Sequence, residues 1–506
     1  MKQRRLTNLL LLFACFATLV AIGASGCSRS KKPKFAKDAQ GRTILMSDVD
    51  VEPVEEQRQR KSQDVLLTKA DDARVGEESA KAVEAQMGVI DDPVLTEYVQ
   101  GIGDKLLRGV PRSFEYRFRV VDQVESNAFA LPGGYIFVSR GLLALAANED
   151  ELANVIGHEI THSARRHAAR GQAAARYQSR LAMPWVRAKE SASYSRDMER
   201  EADRGGQMLA AAAGYDPMGM STFMASLQKT ERLTRGYSRP NSFFDTHPGT
   251  RERVGANAVR AREIRWVRDP ELGDVRLRYL EHIEGLPLGE RPESGIFVGN
   301  RFIHPELDFT MSFPEGWQTA NTAAAVGAAT RNAQIFLEID SPPGDARAAV
   351  DRYLADLEAD GVQGLEVKSL ERAKIAGGDG VRVEFEVPGG GGKVYAMVTF
   401  FPWKASTWRI TGVSPARVVK EYRGRLLSTT RSFRPLPPEL RQGIMETRLR
   451  LVEARNGEDI SSLCQRTSCA WAASQTAIMN EIGATHVFGG GEVVKIAHEE
   501  AWEPAE

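Results

Sequence analysis

Residues 73–270 carry a mainly helical pattern of apolar positions, broken by one strand-rich insert. The insert, ALPGGYIFVS, alternates apolar and polar positions around a turn at Pro132-Gly133-Gly134. Residues 295–435 switch to period two. FTMSFPEGW, AQIFLEID, VRVEFEVPGGGGKVYAMVTFF and STWRITGV predict strands, with a helix or two between them. A proline cluster, RPLPPEL, marks a linker at 434–440, and residues 447–498 form a small last module. No repeat of fixed period runs along the chain. The expected fold class is multidomain α+β: a helical domain with a small edge sheet over 73–270, an α/β domain over 295–435 and a βααβ module. PGGGGK at 388–393 has the glycines of a phosphate loop, but no Ser or Thr follows the lysine. Val394 begins another alternating strand, so the stretch predicts a hairpin loop.

The N-terminus departs from this pattern. MKQRR is basic, LTNLLLLFACFATLVAIGASG is apolar and then turns small, and Cys27 follows directly. This is a secretory signal over residues 1–26. Ala24-Ser25-Gly26-Cys27 resembles a bacterial lipobox, with alanine where the usual leucine stands, and makes Cys27 the expected lipidation site. An uncleaved anchor helix is the other reading. Ser28 after the cysteine, by resemblance to lipoproteins, implies sorting to the periplasmic side of the outer membrane of a Gram-negative bacterium. The polar, charge-rich residues 27–72 read as a flexible tether.

Composition narrows the class. A chain of 506 residues exceeds one core and suggests roughly two to four domains. Lys+Arg and Asp+Glu both total 67, and this neutral balance argues against a nucleic-acid partner. No second apolar run is long enough to cross a membrane. Outside Cys15 in the signal and Cys27, only Cys464 and Cys469 remain. They are either bridged, as an oxidising periplasm permits, or two buried thiols.

NVIGHEITHSARRH, residues 154–167, holds three of the chain's eight histidines. Asn148 is a candidate N-cap, with Glu151 completing a capping pattern. His158 and His162 stand at i and i+4, so a helix puts both on one face, where imidazoles suit zinc. Glu159 is rotated off the ligand direction but stays close enough to serve as general base for a zinc-acidified water. Gly157 permits close approach of another element. Zinc wants a third protein ligand and an open fourth position. SYSRDMEREADRGG offers Glu199 and Asp203 at i and i+4. Alone, that run reads as a solvated charged face. Beside HEITH, one carboxylate can bind zinc while the other orients a ligand histidine. His167 lies off the ligand face and reads as structural.

HEITH, SRDMEREAD and the upstream SNAFALPGGYIFVSRGLL (126–143), in that order, resemble the zinc metallopeptidase family M48 over roughly residues 73–260. The resemblance implies a gluzincin fold, one zinc ion per chain, Glu199 as third ligand and Asp203 behind a ligand histidine. Lacking the helices of polytopic members, the chain looks closer to the BepA/LoiP lipoprotein type than to HtpX or the prenyl protease. SFFDTHPGTRERV, residues 242–254, is similar to a family segment that implies His247 as a removable fourth ligand. Arg253 is then a candidate contact to substrate or transition state. The strand insert can pair with an extended substrate or simply pack on the active helix. Residues 168–192 form a lid or a rigid connection.

Further on, HPELDFTMSFPEGWQ resembles the opening of PsbP/Mog-like α/β domains, and residues 452–496 resemble a LysM domain, which implies binding of glycans such as peptidoglycan; the other reading is a small βααβ packing domain without ligand. The leading expectation is a lipid-anchored periplasmic zinc metalloendopeptidase in envelope protein quality control, with misfolded or unassembled envelope proteins as substrates. The alternative is a non-enzymatic, wall-binding, chaperone-like scaffold whose zinc site is closed by His247. A peptidoglycan hydrolase fits less well, because the site resembles peptidases acting on proteins.

Overall fold

Helix α1 (Lys69–Met87) leads into α2 (Pro93–Leu107), which starts where Asp92 accepts the Leu95 N–H and Pro93 takes the first helical position. One face of α2 buries Leu95, Val99, Ile102 and Leu106. The strand insert is a three-stranded sheet of β1 (Arg117–Val121), β2 (Ala128–Leu131) and β3 (Tyr135–Ser139). Its order is β1-β3-β2, with β1 parallel and β2 antiparallel to β3, so β2 is an edge. The turn between β2 and β3 needs its glycines: Gly133 and Gly134 have φ of 80° and 93°. A short helix, α3 (Arg140–Leu145), follows. It leads into α4 (Glu149–Ala164), then α5 (Arg196–Ala212), α6 (Gly219–Leu233), α7 (Arg251–Glu263) and α8 (Val275–Ile283). These coordinates are a computed structural model that describes residues 35–37, 43–45, 69–110, 114–167, 196–233, 243, 247, 251–322, 324–389 and 392–504. The expected signal, Cys27, most of the tether and the 168–192 connection lie outside the described residues.

Residues 296–435 are rich in sheet. Seven antiparallel strands run in the order Glu366–Ile375, Gly378–Gly389, Gly392–Trp403, Ser406–Pro415, Ala333–Ser341, Val326–Thr330, Gln318–Asn321. Alternation sends Val383, Phe385, Val398 and Phe400 to one face, where helix α9 (Ala346–Ala359) covers them. Met397, Ile410 and Trp408 go to the other, under helix α10 (Val419–Arg431). PGGGGK lies at a hairpin, with Gly389 paired to Gly392, as the alternation on both sides requires. The expected linker is more structured than a linker. Arg434–Pro435 pairs with Phe309–Ser312, and Leu436 packs with Ile296, Ile303 and Ile444.

The last module is βααβ in order: β4 (Met445–Glu453), α11 (Ile460–Arg466), α12 (Ala473–Met479) and β5 (Val493–Ala501), the two strands paired antiparallel. Cys464 and Cys469 are free thiols, both facing the Thr476 hydroxyl at 3.4 and 3.6 Å.

Candidate metal centre

Helix α4 is buried along nearly its whole length, which is rare for a helix beginning Glu-Asp-Glu. Each of the three acids is matched. Glu149 accepts from the Tyr98 and Tyr215 hydroxyls, and Asp150 takes a two-pronged contact from Arg268. Glu151 accepts from Thr222 and from the Ala147 N–H, while Asn148 caps the helix by accepting the Glu151 N–H. Negative charge in the first turn also meets the positive end of the helix dipole.

Helix α5 approaches α4 through glycines. A Cβ on Gly157 would stand 3.0 Å from the Gly206 Cα, and one on Gly206 would stand 2.7 Å from the His158 backbone nitrogen. This close crossing brings Glu199 and Asp203 of α5 over the histidines of α4. His247, whose backbone N–H donates to the Phe243 carbonyl, completes the group, its ring stacked on Phe243.

His158, His162, Glu199 and His247 are all buried and offer one donor atom each within 4.8 Å of the others. His158 Nε2 lies 3.0 Å from His162 Nε2 and 3.2 Å from His247 Nδ1. Glu199 Oε1 lies 3.1 Å from His247 Nδ1 and 3.4 Å from His162 Nε2. A tetrahedral zinc ion with bonds of about 2.0–2.1 Å sets its ligand atoms about 3.3–3.4 Å apart. The tautomers point the same way. His158 Nδ1 faces the Asp203 carboxylate at 3.1 Å, and His162 Nδ1 faces His167 Nδ1 at 3.0 Å. With protons held on those sides, two Nε2 lone pairs confront each other, an arrangement that calls for a cation between them.

The electrostatics agree. Burial, with His158 and His247 alongside, holds His162 well below the usual imidazole range, so its lone pair is available. Burial raises the Glu159 carboxyl, partly offset by His247, His158 and the nearby Ala130 backbone on β2. Burial would raise Glu199 as well, but His247, His158 and Arg253 outweigh it and leave the carboxyl lowered. Asp203 is lowered for the same reason, with His158 and Arg253 as its partners. His247 is raised because Glu199 and Glu159 overcome its burial.

The expected site residues therefore meet at one place, with Glu159 Oε1 3.4 Å from His247 Nε2. Arg253, the candidate contact to substrate or transition state, is buried here beside the ligands. It donates to both Asp203 oxygens at 2.6 and 2.9 Å, to the His247 carbonyl at 3.3 Å, and lies 2.9 Å from Glu199 Oε2. His167, read from sequence as structural, is fully buried against His162, and Glu201, 3.2 Å from His167 Nε2, is the residue the sequence reading passed over.

Comparison with known proteins places this centre. The profile described as Peptidase family M48 matches residues 93–261. The beta-barrel assembly-enhancing protease of Escherichia coli (strain K12) is 29% identical over 227 residues, 39% of this chain and 45% of that protein. The mitochondrial metalloendopeptidase OMA1 of Arabidopsis thaliana is 36% identical over 146 residues, 26% of this chain and 29% of that protein. The chain thus spans less than half the length of the curated relatives it matches. Among solved structures, cyanobacterial PsbP from Synechocystis aligns with 29% of this chain and 98% of its own, at 14% identity and a TM-score of 0.24. The stretch that matches Peptidase family M48, residues 93–261, contains every residue of this centre.

Proposed function

We propose that the chain is a zinc-dependent metalloendopeptidase acting in envelope protein quality control, held at the periplasmic side of the outer membrane by a lipid on Cys27. The observation that carries the catalytic part is the convergence of four buried donor atoms within 4.8 Å. His158, His162 and Glu199 would hold the ion. Bound zinc supplies a Lewis acid that acidifies water and polarises a carbonyl. Glu159 takes the water's proton and delivers it to the leaving amine, a task suited to a carboxyl that burial has raised. Asp203 keeps the proton of His158 on Nδ1, so that Nε2 stays a ligand. β2, at the sheet edge beside α4, would receive an extended substrate by strand addition.

His247 is a removable fourth ligand: it fills the position that substrate and water need, so the enzyme is latent in this state. Arg253 grips the His247 carbonyl and both α5 carboxylates, and becomes a candidate contact to substrate or transition state once His247 leaves. Unassembled or misfolded envelope proteins are the proposed substrates, in keeping with relatives named for beta-barrel assembly. The βααβ order of residues 447–498 suits a LysM-like module, and co-sedimentation with purified peptidoglycan tests that part separately.

The deciding experiment measures casein cleavage by the zinc-loaded protein, its His247→Ala variant and its Glu159→Gln variant. His247→Ala cleaves faster than wild type, and Glu159→Gln loses activity by about 10²-fold or more. The complete burial of His247 also favours a second reading, a scaffold with a permanently closed zinc site. Zinc bound stoichiometrically with no cleavage even in His247→Ala would select that scaffold.

A further inference from the structure

The last module is joined to the peptidase domain through its interior. Leu449 of β4 and Met479 of α12 lie in the same apolar core as Leu152 and Ile156 of the metal helix. Residues 285–288, just after α8, add to β4 as a short antiparallel partner: Gly285 N–H donates to Leu449 O, Leu449 N–H to Leu286 O and Leu288 N–H to Thr447 O.

The polar contacts are more telling. Lys495, in the middle of β5, is fully buried, and burial pulls its ammonium down to about 7. Its Nζ donates to the carbonyls of Ala144, Leu145 and Ala146, at 2.7 Å to the first. These are the last carbonyls of α3 and its exit, groups that a helix end leaves without partners of its own. Arg276 joins the same point from the side, donating to the Ala147 carbonyl and, across the boundary, to Asn480 Oδ1 and the Val493 carbonyl. Asn480 in turn accepts the Lys495 N–H and donates to the Lys495 carbonyl. Glu481, at φ 55°, adds its negative charge to burial in raising the Glu151 carboxyl in the first turn of α4.

Three consecutive residues before the metal helix are thus held by a module whose sequence lies about 350 positions away. A tethered binding module needs none of this. We propose that the C-terminal module is an internal brace of the peptidase: Lys495, with Asn480, fixes the α3–α4 connection and so the direction in which His158 and His162 enter the metal centre. Lys495 is a positioning residue, acting through backbone carbonyls and not on substrate.

The test uses the full chain with Lys495→Met, which keeps the side chain's bulk and removes its donors. Hydrogen–deuterium exchange is compared across residues 143–156. We expect that segment to exchange about tenfold faster or more, with the β4–β5 hairpin still protected. Release of zinc to a chelator is expected to quicken severalfold. Exchange at 143–156 unchanged in a folded variant, or faster exchange confined to the module, would overturn the proposal. Should Lys495→Met not fold, Arg276→Gln cuts the neighbouring bridge from the peptidase side and is judged on the same segment. Exchange is read with and without zinc, so a failure of the zinc reading leaves the brace decidable.

Discussion

His167 shows how one backbone angle assigns a residue its work. Continued as a helix, the sequence carries His167 off the ligand face. Helix α4 instead stops at Ala164, with Arg165 as its cap, and Arg166 takes the left-handed conformation at φ 55°. The chain turns back and presents His167 Nδ1 to His162 Nδ1, with Glu201 behind it. A metal histidine held this way keeps its tautomer and ring angle, and losing such a partner costs about 10–100-fold in metal affinity. We expect His167→Phe, which keeps the ring but no acceptor, to lose zinc affinity by about that much. His167→Asn, whose amide oxygen stands near the lost nitrogen, should recover part of it. Chelator competition measures both, and equal affinity in all three proteins would remove the role. The spacing of His158, His162, Glu199 and Asp203 was legible because it is local and helical. The turn at Arg166 was not, because no glycine marks it.

At the scale of elements, the centre depends on how closely α4 and α5 cross. Gly206→Ala would put a methyl 2.7 Å from the His158 nitrogen and 2.9 Å from the Asn154 carbonyl. Neither is a flexible side chain, so the helices must part. A cost of about 1–3 kcal/mol in stability is expected, with zinc affinity falling alongside. Gly101, inside α2, has nothing within 4 Å of where its Cβ would stand. Gly101→Ala should therefore stabilise by roughly 0.4–1 kcal/mol, because it removes freedom from the unfolded chain. Thermal shifts of opposite sign check both, and a Gly206→Ala protein as stable as wild type would contradict the close-crossing account. Sequence flagged Gly157 as a contact point but not its partner, since glycine pairs declare themselves only across space. The strands of 296–435 were legible from alternation. RPLPPEL was misread because proline suits both linkers and edge strands: Pro435 ends up pairing along one side only, beside a buried Leu436.

Over the whole molecule, formal charge sums to zero, so pH acts through individual buried groups and not through overall repulsion. Contacts between domains were the least legible part of the chain, because a lysine in VVKIA reads as an ordinary outward residue until its partners are known. His304 makes the same point for acid stability. It sits in the strand Arg301–His304, against Phe302 and Phe309, and its Nδ1 accepts the Leu307 N–H. Burial, aided by Lys404, lowers its pKa to about 4. Above pH 6.5 the folded and unfolded chains hold the same protons at this site, so it leaves stability unchanged. Between 6.5 and 4 the unfolded chain takes up a proton that the folded one refuses, so stability falls as pH falls, by up to about 3 kcal/mol once the fall is complete. The loss belongs to residues 296–435, because the His304 strand pairs with Phe309–Ser312 in that region's smaller, four-stranded sheet and lies outside the peptidase core. NMR titration of the histidine resonances, with His304→Gln to assign the signal, should show one midpoint near 4. In that variant, amides of the 296–435 sheet should stay protected at pH 5 to a degree the wild type does not match. A midpoint at the ordinary imidazole value would mean that the charged ring is tolerated where Nδ1 now accepts, and that acid unfolding starts elsewhere in the chain.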